Sequence, residues 1–89
     1  MTQYPATLLS GTNAAVAVGA AVLGASQHCL SITVIAPIGN TDNIFIGDSV
    51  AQPLLLAPGN VASLDVNNVD QIFVRSAAGV QTADYLMET

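Results

Sequence analysis

An antiparallel β-sandwich or jelly roll of about eight short strands is the fold this sequence predicts. Three observations lead there. Val, Ile, Leu and Phe gather in short runs that alternate with polar residues at a period of two. Gly, Pro, Asn and Asp punctuate the chain about every 8–12 residues. From Cys29 onward no stretch carries the repeat of an amphipathic helix. The chain has 89 residues, enough for one domain and too few for two.

The opening "MTQYPATLLSGTN" has no clear period, and Pro5 and Gly11 interrupt it. Residues 1–12 therefore read as an irregular N-terminal arm, gripping through Tyr4, Pro5, Leu8 and Leu9, and residues 13–89 as the sandwich. In "AAVAVGAAVLGA" (14–25) the alanines favour helix. Gly19 and Gly24 each cost a helix about 1 kcal/mol relative to Ala, and Val16, Val18 and Val22 favour strand. Two short strands are expected here. "CLSITVIA" (29–36) alternates Leu30, Ile32 and Val34 with Ser31, Thr33 and Ile35, and Pro37 and Gly39 close it. "IFIG" (44–47) is the next strand, with Ile44 and Ile46 on one side and Phe45 on the other. "DSVAQ" is a loop and "PLLLA" (53–57) a short strand. "APGN" (57–60) places Pro58 and Gly59 at the centre of a type II turn. "VASLDV" (61–66) sets Ala62, Leu64 and Val66 on one face. "NNVD" turns, "QIFVRS" (71–76) pairs Ile72 with Val74 on one face and Phe73 with Arg75 on the other, Gly79 turns again, and "VQTADYLM" (80–87) is the last strand. Phe45 and Phe73 are expected in the core.

Apolar residues make up 52% of the chain and charged residues 8%, about a third of the usual quarter. A domain this small cannot hide half its residues. Its surface must be uncharged and in part apolar, which points to a partner surface and a homo-oligomer or a larger assembly. Arg75 is the only basic residue against six acids, giving a net charge of −5. Phosphate backbones and anionic membranes both require Lys and Arg, so neither nucleic acid nor membrane is an expected partner. The 14–25 run is shorter than the roughly 20 residues of a spanning helix, and no basic segment precedes it to mark a signal peptide.

"IFIGDSV" resembles the opening of the Gly-Asp-Ser serine esterases, which makes Ser49 a candidate nucleophile. Such chemistry requires a histidine to take the serine proton and donors for the oxyanion. The one histidine, His28, precedes Ser49, and no Asp-x-x-His follows. The alternative is that Gly47 ends a strand and Asp48-Ser49 form a side-chain-capped turn. No catalytic residue is expected. His28-Cys29 offers two ligands where zinc takes three or four from the protein, so Cys29 reads as a small buried hydrophobe. "NTDN" and "NNVD" supply oxygen atoms but not the spacing of a calcium loop. They read as turns whose side chains bond back to the backbone. No cofactor and no metal are expected.

From Leu30 to Leu86 the order of turns has a wider likeness. A strand at 30–36 leads to Asn40-Thr41, then to "IFIG", Pro53-Leu54, the "LAPG" turn (56–59), strands at 61–66 and 72–74, and a closing Tyr85-Leu86. This pattern resembles small β-sandwich structural proteins of tailed bacteriophages. The resemblance implies a virion component, above all a capsid decoration (cement) protein. Such a protein is made in the host cytoplasm and carried on the capsid exterior. It binds the major capsid protein or other virion proteins, and it forms a homo-oligomer, with a trimer favoured. The alternative is a tail- or fibre-associated module recognising a host surface glycan or another virion protein. With only four aromatic residues in the chain, and Phe45 and Phe73 expected inside, Tyr4 and Tyr85 alone would serve it.

Overall fold

The computed structural model describes residues 8–89. Two antiparallel four-stranded sheets stack face to face. The strands are β1 (Leu8–Val16), β2 (Ala21–Val22), β3 (Ser31–Ile35), β4 (Ile44–Gly47), β5 (Leu54–Leu56), β6 (Val61–Leu64), β7 (Phe73–Ser76) and β8 (Gln81–Glu88). Sheet A has the order β1-β8-β3-β6 and sheet B the order β2-β7-β4-β5. Apart from the β4–β5 hairpin, each connection crosses from one sheet to the other, so the chain laces the layers together as it proceeds.

The alternation read from the sequence sets which side of each strand is buried. Ile32 and Val34 on β3, Ile44 and Ile46 on β4, Val74 on β7, and Ala83 and Met87 on β8 all point between the sheets. Val16, Leu23, Cys29, Leu56, Val69 and Ile72 fill the ends of this layer. Each such aliphatic side chain contributes about 1.5–3 kcal/mol by leaving water. Two buried polar residues, Ser76 and Gln81, sit where the β7–β8 turn closes. Gln81 accepts from the Thr41 backbone N–H at 2.9 Å and donates to the Ala78 carbonyl at 2.9 Å, while the Ser76 hydroxyl donates to the Gly79 carbonyl. Among the described residues no buried side-chain nitrogen or oxygen lacks a partner, as a folded interior requires.

The turns follow the chemistry of their residues. Asn60 N–H donates to the Ala57 carbonyl at 2.9 Å and Gly59 has φ +92°, which is the type II geometry that only glycine adopts freely. "NNVD" leads into a 3₁₀ turn, Val69–Gln71, rather than a simple turn. Asn68 caps it by accepting from Asp70 N–H at 3.1 Å, and Gln71 reaches back to the Asn67 and Asn68 N–H groups. Together these form a capping box.

The first strand departs from expectation. Leu8–Thr12 belong to β1 and pair with β8 from Leu8 opposite Glu88 to Asn13 opposite Ala83; they are not an irregular arm. The register then slips between Asn13 and Val16. Asn13 holds this bulge: its side chain accepts from Ala15 N–H and donates to the Leu23 carbonyl, both at 3.0 Å. Among the described residues no helix is long and apolar enough to cross a membrane.

Candidate functional site

The Gly-Asp-Ser turn follows β4 directly. Asp48 Oδ1 accepts from the Val50 and Ala51 N–H groups, both at 2.8 Å, and the Asp48 N–H donates to the Ala51 carbonyl at 2.9 Å. These two backbone donors, Ala51 first and Val50 second, hold the Asp48 carboxyl below its ordinary range. The loop folds back over Gly47 so closely that a methyl group there would lie 2.6 Å from Gln52 Cα and 2.8 Å from Pro53 Cδ. Gly47 is thus required by the loop that covers it, and Asp48 is the loop's cap. Ser49 is exposed at the tip, and beside it Val50 is 90% exposed.

His28 lies in a different segment, where it bridges Asn68 before β3. No hydrogen bond joins it to Ser49. It lines an open cleft of about 400 Å³ with Cys29, Leu30, Asp65, Val66, Asn67 and Gln71. Cys29 itself is fully buried, its thiol facing the Val66 carbonyl at 3.4 Å, and burial pushes its pKa up. A raised pKa reduces the thiolate fraction on which reactivity depends. Among the described residues no three His, Cys, Asp or Glu side chains gather as a metal site would require. The "NTDN" side chains bond locally instead: Asn40 exchanges two hydrogen bonds with the Thr82 backbone, at 2.8 and 2.9 Å, and Asp42 accepts from Asn43 N–H.

The outer faces of the two sheets differ in chemistry. On sheet A, Ser10, Leu86, Thr33 and Ser63 form one cross-strand row, and Thr12, Asp84, Ile35 and Val61 the next. Hydroxyls tie these rows together: Thr12 donates to Asp84 at 2.8 Å, and Thr33 and Ser63 meet at 3.1 Å. On sheet B, Phe45 stands between Leu55 and Arg75, and Phe73 between Gly47 and Val22. Arg75, the chain's only cation, lies over the Phe45 ring, 4.2 Å from its centre. That spacing is well within cation–π range.

Phe45 and Phe73 are therefore not core residues. With Ile44, Ile46, Ile72 and Val74 filling the interior, the period of two forces both phenylalanines outward, where they stay half-buried among neighbours. Leu55 is 46% exposed and Val22 41%, so the stripe Leu55–Phe45–Phe73–Val22 is an apolar surface with one positive charge laid across it. Of the four residues expected to grip a neighbour, Tyr4 and Pro5 lie outside the described residues. Leu8 projects from the outer face of β1 and Leu9 from its inner side at the sheet edge, both exposed. No family model matches the chain, and no curated protein or solved structure matches it.

Proposed function

We propose that the protein is a structural component of a tailed-phage virion, a capsid decoration protein that stabilises the head shell by non-covalent contact. The observation that carries this reading is the outer face of sheet B. Leu55, Phe45, Phe73 and Val22 make an outward apolar stripe of the kind that supports a partner surface. Ile38 and Val50, on the loops before and after β4, are also exposed apolar residues, at 88% and 90%. Covering apolar surface yields about 25 cal/mol per Å². A subunit that binds the assembled shell but not its dissociated parts stabilises the shell by mass action. The major capsid protein is the partner and the capsid exterior the location, after synthesis in the host cytoplasm.

Purified protein mixed with capsids or procapsids and sedimented should pellet with them at a fixed ratio and raise the temperature at which the shells open. Protein that stays in the supernatant at saturating concentration would sink this reading.

A second reading gains from the outward placement of Phe45 and Phe73. A tail- or fibre-associated module that binds a host glycan uses aromatic faces, and sheet B turns two half-buried phenylalanines outward, Phe45 beneath Arg75, where the sequence placed both in the core. Binding to immobilised bacterial surface glycans, lost on Phe45→Ala or Phe73→Ala and with no binding to capsids, would favour it.

A further inference from the structure

We propose that β1 pairs edge to edge with β1 of a second copy of this chain, antiparallel about a two-fold axis, joining two four-stranded sheets into one continuous sheet. The sandwich has four edges: β1 and β6 on sheet A, β2 and β5 on sheet B. Three are short, with β6 at four residues, β5 at three and β2 at two. Pro53 immediately precedes β5 and Asp65 immediately follows β6. Short strands, prolines and charges are the ordinary ways of blunting an edge. β1 has none of these, and its bulge lies beyond Asn13, outside the regular stretch Leu8–Asn13. It runs for nine residues, "LLSGTNAAV", without a charge or a proline. Among the described residues only one of its two sides is paired with a strand, β8. The other presents a row of backbone donors and acceptors whose natural complement is an extended strand.

The charge pattern leaves β1 as a place where a second copy can approach. The chain's net charge of −5 opposes contact between two copies over most of the surface. Along β1 there is nothing to repel. The nearest acids on this side of sheet A, Asp84 and Glu88, stand on β8, and Asp84 already accepts from Thr12. In the paired sheet the β8 strands of the two copies lie three strand spacings apart. At about 4.8 Å each, that is about 14 Å, beyond the roughly 8 Å screening length at physiological salt. The side chains fit as well. The regular part of β1 runs from Leu8 to Asn13. Antiparallel pairing with the two-fold axis at Ser10 keeps the outer faces continuous and brings the two Ser10 side chains close together there. It also places the exposed Leu8 and Leu9 beside the small residues of the partner strand. A two-fold edge contact is isologous and closes on itself. It yields a dimer or another even-numbered assembly, so the trimer implied by resemblance would need a different surface. This pairing goes beyond the shell-binding reading and does not rest on it.

The test is the mass of the full-length protein by sedimentation equilibrium over a concentration series. A dimer that dissociates on dilution is expected. Ser10→Glu and Ser10→Lys should each weaken it roughly tenfold or more, since like charges face each other across the strands. An equimolar mixture of the two variants should recover association. Hydrogen exchange of the parent protein gives a readout free of any folding defect: protection of β1 amides should rise with protein concentration. A monomer at all concentrations, an odd-numbered oligomer, a dimer indifferent to both variants, or β1 exchange independent of concentration would each overturn the proposal.

Discussion

Tyr85 lies across Gly11. The two residues face each other on β8 and β1, and the tyrosine ring occupies the space a side chain at Gly11 would need, with Cε2 only 2.6 Å from the position of the missing Cβ. The same hydroxyl abuts Gly24 on the segment after β2. One aromatic ring thus seals the edge of sheet A by lying over two glycines on two other segments, and it packs its inner side against the core.

This arrangement makes Gly11→Ala and Gly24→Ala destabilising, each by about 1–3 kcal/mol as overpacked sites are. The two should respond differently to Tyr85→Phe. At Gly24 the clash is chiefly with the hydroxyl; at Gly11 it includes the ring carbons. Removing the hydroxyl should therefore relieve Gly24→Ala substantially and Gly11→Ala little. Urea unfolding of the two double-mutant cycles checks this, with a clear coupling energy expected only for the Gly24–Tyr85 pair.

The Gly-Asp-Ser turn gives a sharper contrast. Gly47→Ala drives a methyl group into the backbone of Ala51 and Gln52, which cannot swing aside as a side-chain tip can. A loss of about 2–3 kcal/mol or more is expected, at the upper end of overpacking costs. Ser49→Ala removes an exposed hydroxyl that holds nothing in place, and should change stability by no more than about 0.5 kcal/mol. Denaturation of both variants tests the structural half of this. Ester hydrolysis by the parent protein that vanished in Ser49→Ala would restore the nucleophile reading.

Asp48 should leave a trace in the acid limb of the stability curve. Its carboxylate accepts from the Ala51 and Val50 N–H groups, which lowers its pKa in the folded state. A depressed folded pKa means that the charged form is the one the fold favours. The contribution is complete above the ordinary aspartate value near 3.8 and is lost as pH falls through the lower folded value. The stability difference between the parent and Asp48→Ala should accordingly be constant near neutrality and shrink below about pH 4. Urea titrations from pH 7 to pH 2 measure it. A gap that widened in acid would contradict the capping role.

Much of the fold was legible because it rests on local chemistry. "IFIG" is β4 to the residue, since Ile44 and Ile46 alternate with Phe45 and a glycine closes the run. "APGN" forms its type II turn because Gly59 alone can take the positive φ. β1 was not legible before Asn13. Its inner side rests on Tyr85 and the Leu23 carbonyl rather than on the aliphatic core, so Ser10, Gly11 and Thr12 show no alternation of apolar residues to read. The phenylalanines mislead for another reason. Size suggested burial, but on each strand the flanking aliphatic residues take the interior and the period of two leaves Phe45 and Phe73 the other side. Arg75, two residues from Phe73 and so on its face, was the available signal.

That outward placement separates the proposed shell contact from folding and so allows each to be tested alone. Leu55 and Val22 are each about half exposed on edge strands of sheet B, so their replacement by serine removes apolar contact surface without opening a cavity. Leu55→Ser and Val22→Ser should keep the fold, each within about 1.5 kcal/mol of the parent, because each side chain is only about half buried in the isolated protein. If sheet B faces the shell, the same substitutions fall at the two ends of the contact stripe, on either side of Phe45 and Phe73. Apolar side chains there cost about 1–2 kcal/mol or more when lost, a drop of about tenfold in affinity for each. Ile44→Ala, on the inner side of the same β4 strand, should do the reverse: it costs the fold about 2–5 kcal/mol and spares capsid binding wherever the protein is still folded. Melting curves and capsid co-sedimentation of the three variants distinguish the two patterns. Serine variants that bind capsids as the parent does would move the contact away from sheet B.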